Sequence, residues 1–371
     1  MLPFISVRRV YARKFSTKPL NILFFGSDEF SAYALRSLVK LKHKQVIDSI
    51  QVVSRPPKWC GRKKSVLKSP EIVQYAQDLR LDQPIHVDSN EEMLQLSSLC
   101  ESQKIDMIIA VSFGKLIPNG LIGRVPYSLN VHPSLLPRYR GSAPLQHTLL
   151  NQDQYTGVTV QTLHPTKFDH GSIVAQSDPL PVSDLLASRP LPPLINQEDT
   201  RPPKLAKLMD QLGIVGGNLL ADVLEKRTYQ DPVSHIESNY EPSYAPRIKT
   251  EDKMINWNDS ATDLLNRLQT LGPLYTFKRV QLKSKSPLSL KRVLIHDFDV
   301  IERVISNQTC GTFTQDNHDS ITIACGRNTA ILIKKLQFEA CAIETPEQFM
   351  KKLPKRCGKT LAKELVFVNE T

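Results

Sequence analysis

Apolar and polar positions along this chain fall into two regimes. In the first, short apolar runs alternate with stretches of helical spacing. Ile22–Phe25 is an uninterrupted apolar run closed by Gly26, which predicts a buried strand. Phe30 to Leu41 repeats its apolar residues at helical intervals. Val46 to Val53 reads as a second strand, Glu71 to Leu81 as a helix and Met107–Val111 as another buried strand. Strands alternating with helices predict a parallel sheet covered on both faces. Tyr127–His132 alternates instead, so Ser128, Asn130 and His132 would share one face of a strand and Leu129 and Val131 the other. Pro133 and Pro137 close that strand, because neither ring nitrogen can donate to a ladder.

Farther on the pattern loosens. Pro179 to Pro203 is rich in proline, with Arg189-Pro-Leu-Pro-Pro at its centre, and reads as an inserted loop. Lys204 to Lys226 has helical periodicity interrupted by Gly213 and the Gly216–Gly217 pair, and Tyr229 to Lys249 is a polar connector. The second regime starts at Glu251. One helix is predicted over Ser260 to Leu271. Short apolar runs follow at Val293–Ile295, Val300–Val304, Ile321–Ala324 and Ala330–Ile333, which suit a small antiparallel barrel. The predicted class is therefore α/β: a parallel-sheet domain over residues 21–230 carrying the insertion at 179–203, a linker at 231–250, and a smaller β-barrel domain over 251–371.

The length, 371 residues, suits two domains that each build a core. Net charge is +11. Part of it comes from Met1 to Leu20, which holds Arg8, Arg9, Arg13, Lys14 and Lys18 and no acid, interleaved with apolar residues and Ser. That composition predicts a mitochondrial presequence over residues 1–20 and a matrix location. Without those five cations the balance is still +6, compatible with a polyanionic partner. None of the six cysteines forms a C-x-x-C pair, so a zinc site or a redox pair is not expected. No apolar run reaches the length of a membrane span, and Gly26 lacks the partner glycines of a dinucleotide fingerprint.

The candidate chemistry lies in Asn130-Val-His132-Pro-Ser134-Leu-Leu-Pro137 and Phe168-Asp169-His170-Gly171. Acyl transfer to an amine passes through a tetrahedral species with a negative oxygen, to which a fixed amide N–H and an imidazole N–H can both donate. A carboxylate beside an imidazole favours its charged form, and Asp169 is the candidate; it can also relay the amine's excess proton. If the amine attacks directly, no nucleophilic Ser or Cys is needed, and the site mainly places reactants. Singly, each of these residues reads as a turn or core residue; together they favour catalysis.

These segments resemble the 10-formyltetrahydrofolate-dependent formyltransferases. Asn21 to Phe30, Asp106 to Gly114, Leu129 to Pro144, Thr156 to Thr159 and Phe168 to Gly171 carry the resemblance in the family's order. It implies a Rossmann-like domain followed by a barrel similar to an oligonucleotide-binding fold. It implies Asn130, His132 and Asp169 as catalytic residues, with Ser134, Leu135, Leu136, Pro137, Phe113 and Gly114 lining the folate, no metal, and a cis bond before Pro137. One residue more than the family's spacing separates His132 from Asp169, near Thr166-Lys167. Cys60-Gly-Arg62-Lys63-Lys64 and Ser243 to Ile248 narrow the resemblance to the members that act on methionyl-tRNA. It then implies initiator methionyl-tRNA and folate as partners, no membrane and no obligate protein partner, the chain acting as a monomer. Arg62, Lys63 and Lys64 would reach the acceptor end, and a basic tract including Lys278, Arg279, Lys283 and Lys285 would neutralise phosphates. A second tract runs from Lys351 to Lys363. A ribotide or amino-sugar formyltransferase, a formate-releasing hydrolase and a non-catalytic tRNA-binding relative are the alternatives. Trp257 reads as core.

Overall fold

The apolar run at the start becomes β1 (Leu20–Gly26), buried along its whole length. It feeds α1 (Glu29–His43), whose first amides are capped by Asp28 through a bond from the Ser31 N–H. The structure, a computed structural model, describes residues 18–60, 65–189, 199–231, 240–283, 286–302, 308–316 and 320–369. The predicted presequence lies outside them up to residue 17, as does most of the proline-rich centre.

The chain packs as two units. The first runs to His132 and takes up Val158–Ser177 and the chain from Gly213; the second holds Pro133–Gly157, Asp178–Leu212 and the chain from Tyr240. Seven strands form the sheet of the first unit. After β1 come β2 (Ile47–Ser54), the ribbon β3 (Lys58–Cys60) and β4 (Val66–Lys68), then β5 (Ile85–His86), β6 (Met107–Val111) and β7 (Tyr127–His132). With β8 (Tyr155–Thr156) placed in the second unit, the sheet finishes on β9 (Thr159–Thr162) and β10 (Ile173–Gln176), in the order β10-β9-β7-β6-β1-β2-β5. Pairing from β5 to β7 is parallel, as the alternation of strands and helices predicts. β9 and β10 pair antiparallel, so the sheet is mixed at this edge.

Helices α2 (Glu71–Asp78), α3 (Asn90–Ser102) and α4 (Asn119–Ile122) join the strands. A capping box between Ser89 and Glu92 starts α3. In the second unit α5 (Pro144–Leu150) follows the Ser134–Pro137 motif. The proline-rich segment is less loop-like than predicted. β11 (Leu180–Pro181) pairs with β8, and α6 (Val182–Ala187) starts directly after it, because Pro181 sits at the N-cap, where a missing N–H costs nothing. Next comes α7 (Pro203–Lys226), which runs through the glycines that interrupt its pattern. A Cβ at Gly213 would stand 2.5 Å from the Tyr33 ring and one at Gly217 2.9 Å from the Tyr33 carbonyl oxygen. Those glycines let α7 press against α1; their helix-propensity cost, about 1 kcal/mol each, is the lesser term.

The second regime forms α8 (Ala261–Leu271) and a five-stranded antiparallel sheet: β12 (Leu274–Val280), β13 (Ser289–Ile301), β14 (Phe313–Asp316), β15 (Ser320–Cys325) and β16 (Thr329–Phe338). Two predicted short strands merge into β13, because register shifts between Ile295 and Phe298 break the alternation without ending the strand. Helix α9 (Pro346–Cys357) packs on this sheet. Val366 pairs with Thr312 and Val368 with Phe277, so the chain's last residues bridge the sheet's two outer strands. Trp257 is buried there, as expected, and its indole N–H donates to Thr276 Oγ1 at 3.1 Å.

Candidate active site

β7 ends at His132, where Pro133 removes the next donor. Antiparallel pairing with β9 sets Asn130 opposite Gln161 and His132 opposite Thr159. Residues directly opposite share a face, so one surface of the sheet edge carries two amides, an imidazole and a hydroxyl. Gln176 of β10 extends the row, donating to Thr159 Oγ1 at 2.8 Å. After β9 the chain turns back, and Asp169 is held at φ +56°. Gly171 locks this turn onto β9: a Cβ there would lie 1.7 Å from the Thr162 carbonyl oxygen.

The predicted trio converges. Asn130 Nδ2 donates to Asp169 Oδ1 at 3.1 Å, and His132 Nδ1 lies 3.3 Å from the same oxygen. The imidazole and carboxylate side chains are 6 % and 7 % exposed, so water screens their interaction little. A fourth member was missed from the sequence. Gln161, fully buried, donates to Asp169 Oδ1 at 3.1 Å and accepts from the Gly171 amide at 3.1 Å. The alternation Val158-Thr159-Val160-Gln161 was the available signal. Before Asp169, His164 Nδ1 accepts from the Thr166 and Lys167 amides, which forms a turn of its own.

At the neighbouring ends of β1 and β6, burial pushes the Asp28 carboxyl up to about 7, while the Ser31 amide pulls it down less. Phe113, just beyond β6, is buried edge-on to Phe25 with ring centroids 5.0 Å apart, and its carbonyl accepts from the Ser27 hydroxyl at 3.5 Å. Gly114 is exposed at φ +76°, with open space where a Cβ would stand.

In the second unit Ser134, Leu135 and Leu136 are buried, and the Leu136–Pro137 bond is cis. The Ser134 hydroxyl donates to the Arg138 carbonyl at 2.6 Å, which braces its own turn.

The cationic positions divide. Arg62, Lys63 and Lys64 lie outside the described residues; β3 and β4 pair Trp59 with Leu67, both exposed. Lys285 is also outside. Arg279 and Lys283 are exposed. Lys278 is a correction. It is fully buried, and its ammonium donates to the carbonyls of Leu361 at 2.9 Å and Glu364 at 2.7 Å. Burial pulls its pKa below the ordinary lysine value. It pins the C-terminal segment to β12 and is not presented to phosphate. Arg267 likewise ties down the carbonyls of Asp252 and Met254, and Lys352 and Arg356 both bind the buried Glu344. Among the described residues no group of three or more side chains could hold a metal ion, and no helix is long and apolar enough to cross a membrane.

Residues 20–184 match the formyl transferase family and residues 247–354 the formyl transferase, C-terminal domain. The chain is 47 % identical to the mitochondrial methionyl-tRNA formyltransferase of Saccharomyces cerevisiae, over 95 % of this chain and 93 % of that protein. It is 29 % identical to a methionyl-tRNA formyltransferase of Staphylococcus aureus, over 85 % and 91 %. Among solved structures it is similar in fold to a variant of HypX from Aquifex aeolicus, with a TM-score of 0.52 and 14 % identity. That match covers 91 % of this chain but 48 % of HypX, so the chain spans about half of that larger protein.

Proposed function

The chain belongs to the formyl transferase family, and from that premise we propose how its residues move a formyl group from 10-formyltetrahydrofolate to the α-amine of methionyl initiator tRNA. The enzyme is a formyltransferase of mitochondria, serving translation initiation. The amine attacks the formyl carbon, a C–N bond forms, and the carbonyl oxygen becomes an oxyanion. Asn130 and His132 donate hydrogen bonds to that oxygen. Asp169 orients the imidazole, accepts the proton that the amine loses, and passes it to folate N10 as the bond from N10 to the formyl carbon breaks. An α-amine has an ordinary pKa of about 8, so a useful fraction is neutral and nucleophilic without a dedicated base.

The observation that carries this reading is the meeting of Asn130, His132 and Asp169 around one carboxylate oxygen on a buried sheet edge. In this reading Ser134, Leu135, Leu136 and Pro137 pack against and hydrogen-bond the folate, and Phe113 and Gly114 are further folate-binding candidates. Arg62, Lys63 and Lys64 engage the acceptor end, where the planar fork of Arg suits phosphate, and Arg279, Lys283 and Lys285 meet the RNA backbone. We propose a presequence that ends before Leu20, where β1 begins, residues 21–230 as the catalytic domain, 231–250 as linker, 251–371 as the tRNA-binding domain, and the working form as a monomer; sedimentation of the purified chain tests the last point.

The functional test supplies the protein with charged initiator tRNA and the formyl donor and measures formyl-methionyl-tRNA. Turnover on a ribotide or amino sugar with none on tRNA would overturn the substrate.

A further inference from the structure

Both ends of the Gln161 carboxamide are engaged, and their orientation is fixed by chemistry. The Gly171 amide can only donate, so Oε1 must face it, and Nε2 must face Asp169 Oδ1. That oxygen therefore has three N–H neighbours: Gln161 Nε2 and Asn130 Nδ2 at 3.1 Å each, and His132 Nδ1 at 3.3 Å. A carboxylate oxygen offers about two lone-pair sites. Three donors fill it, and no lone pair there remains to receive a proton.

We infer that Gln161 is a positioning residue that commits Asp169 Oδ1 to Asn130 and His132, so that the proton of the incoming amine travels through Oδ2. The inference rests on the function proposed above. In the step, the attacking nitrogen loses H⁺ to Oδ2 as its bond to the formyl carbon forms. Oδ2 then gives that proton to folate N10 as the bond from N10 to the formyl carbon breaks, which regenerates the carboxylate. Gln161 suits the task because it is an uncharged donor: a cation in its place would repel an ammonium, and a carboxylate would compete with Asp169 for the proton. By spanning Asp169 and Gly171 it also holds the left-handed turn that aims the carboxylate.

Besides the two amides, Asp169 meets His132 on β7, and the titratable residues of its own loop are His164, Lys167 and His170.

Two variants of the full chain test the inference by opposite pH signatures. Gln161→Met keeps the length of the side chain and removes the donor. Its kcat falls by about tenfold, with KM for both substrates within about threefold of the parent. Its deficit grows toward acid pH, because losing a hydrogen bond to the ionised carboxylate makes that form easier to protonate. Gln161→Glu places two carboxylates side by side, and such a pair holds one proton between them. Its deficit shrinks toward acid pH, where the introduced carboxyl, once protonated, donates as the amide did. Deficits that are equal at every pH and track a drop in Tm would mean a structural role and overturn the inference, as would unchanged kcat in both variants. Absence of formyl transfer by the parent chain would overturn the proposed function, and this inference with it; a working parent with unaffected variants overturns the inference alone.

Discussion

Gly171→Ala adds a single methyl group and should disable the site. The added carbon would lie 1.7 Å from the Thr162 carbonyl oxygen, 2.6 Å from its carbon and 2.9 Å from its hydroxyl oxygen, where ordinary contact begins near 3.4 Å. The turn and β9 must part by about 1.7 Å, the difference between the two figures. β9 is held by ladders on both sides, so the turn moves. Three hydrogen bonds stand in the way: Gly171 N–H to Gln161 Oε1 at 3.1 Å, Ser172 N–H to Thr162 Oγ1 at 2.9 Å and Thr162 N–H to the Ser172 carbonyl at 2.9 Å. At about 1 kcal/mol each, losing two or three costs roughly 2–3 kcal/mol. Alanine restricts the unfolded chain and returns only about 0.4–1 kcal/mol, so the clash wins. Asp169 is two residues away and moves with the turn. A misplacement of about 1 Å at a catalytic group can cost on the order of 10²-fold in rate. The assay compares kcat for formyl transfer with Tm in the same preparation. Expected are a fall of about a hundredfold and a Tm lower by on the order of 5 °C. A variant within threefold of the parent rate at unchanged Tm would refute the claim that the turn is clamped onto β9.

Asn130→Ala and His132→Ala should each raise the barrier by about 3 kcal/mol while the chain stays folded, if each donor behaves as an ordinary oxyanion-hole group; near-parental rates in either would remove it from the mechanism. Asp28 has a folded pKa raised to about 7 from 3.8. The folded state therefore keeps a proton that the unfolded chain has lost, and stability falls as pH climbs from about 4 to 7. Asp28→Asn, which keeps the N-cap, should flatten that slope and stabilise the chain at pH 8 by roughly 2 kcal/mol. This is about half of what three pH units carry in a dry site, because Asp28 is partly open to water. Urea titrations at several pH values measure it, and parallel slopes in variant and parent would count against the perturbation. If the exposed cations meet the RNA as proposed, Arg279→Ser and Lys283→Ser should each lower the salt slope of tRNA binding by about one, and Lys278→Met should leave it unchanged. A slope lowered by the Lys278 substitution would show that its burial gives way in the complex.

Period and composition made much of the first unit legible. Unbroken apolar runs marked β1 and β6, which neighbour each other in the sheet interior, and alternation marked β7, whose polar residues share the face that carries the site. What stayed hidden was pairing partner and direction. The four residues of β9 carry too little pattern to announce an antiparallel strand, and Gln161 gained its meaning only from standing opposite Asn130. Glycines misled in α7, because sequence shows the propensity cost and not the ring of Tyr33 that demands it. Cation counting misled in β12 for a related reason. Lys278 sits among exposed basic neighbours in sequence, yet a segment more than eighty residues later supplies the two carbonyls that draw it inside.

Antiparallel pairing of β9 with β7 places Gln161 beside Asn130, so all three donors around Asp169 Oδ1 stand on two adjacent strands. Rigid elements hold such geometry better than loops do, so the burden on the loop is confined to one residue, Asp169. That residue is gripped from Gln161 and from Gly171 onward, whereas Thr166 and Lys167 belong to a separate turn organised by His164. Length can therefore vary before Phe168 without moving the carboxylate. The same reasoning forbids an insertion between Asp169 and Gly171, where an added residue would break the span of the Gln161 carboxamide.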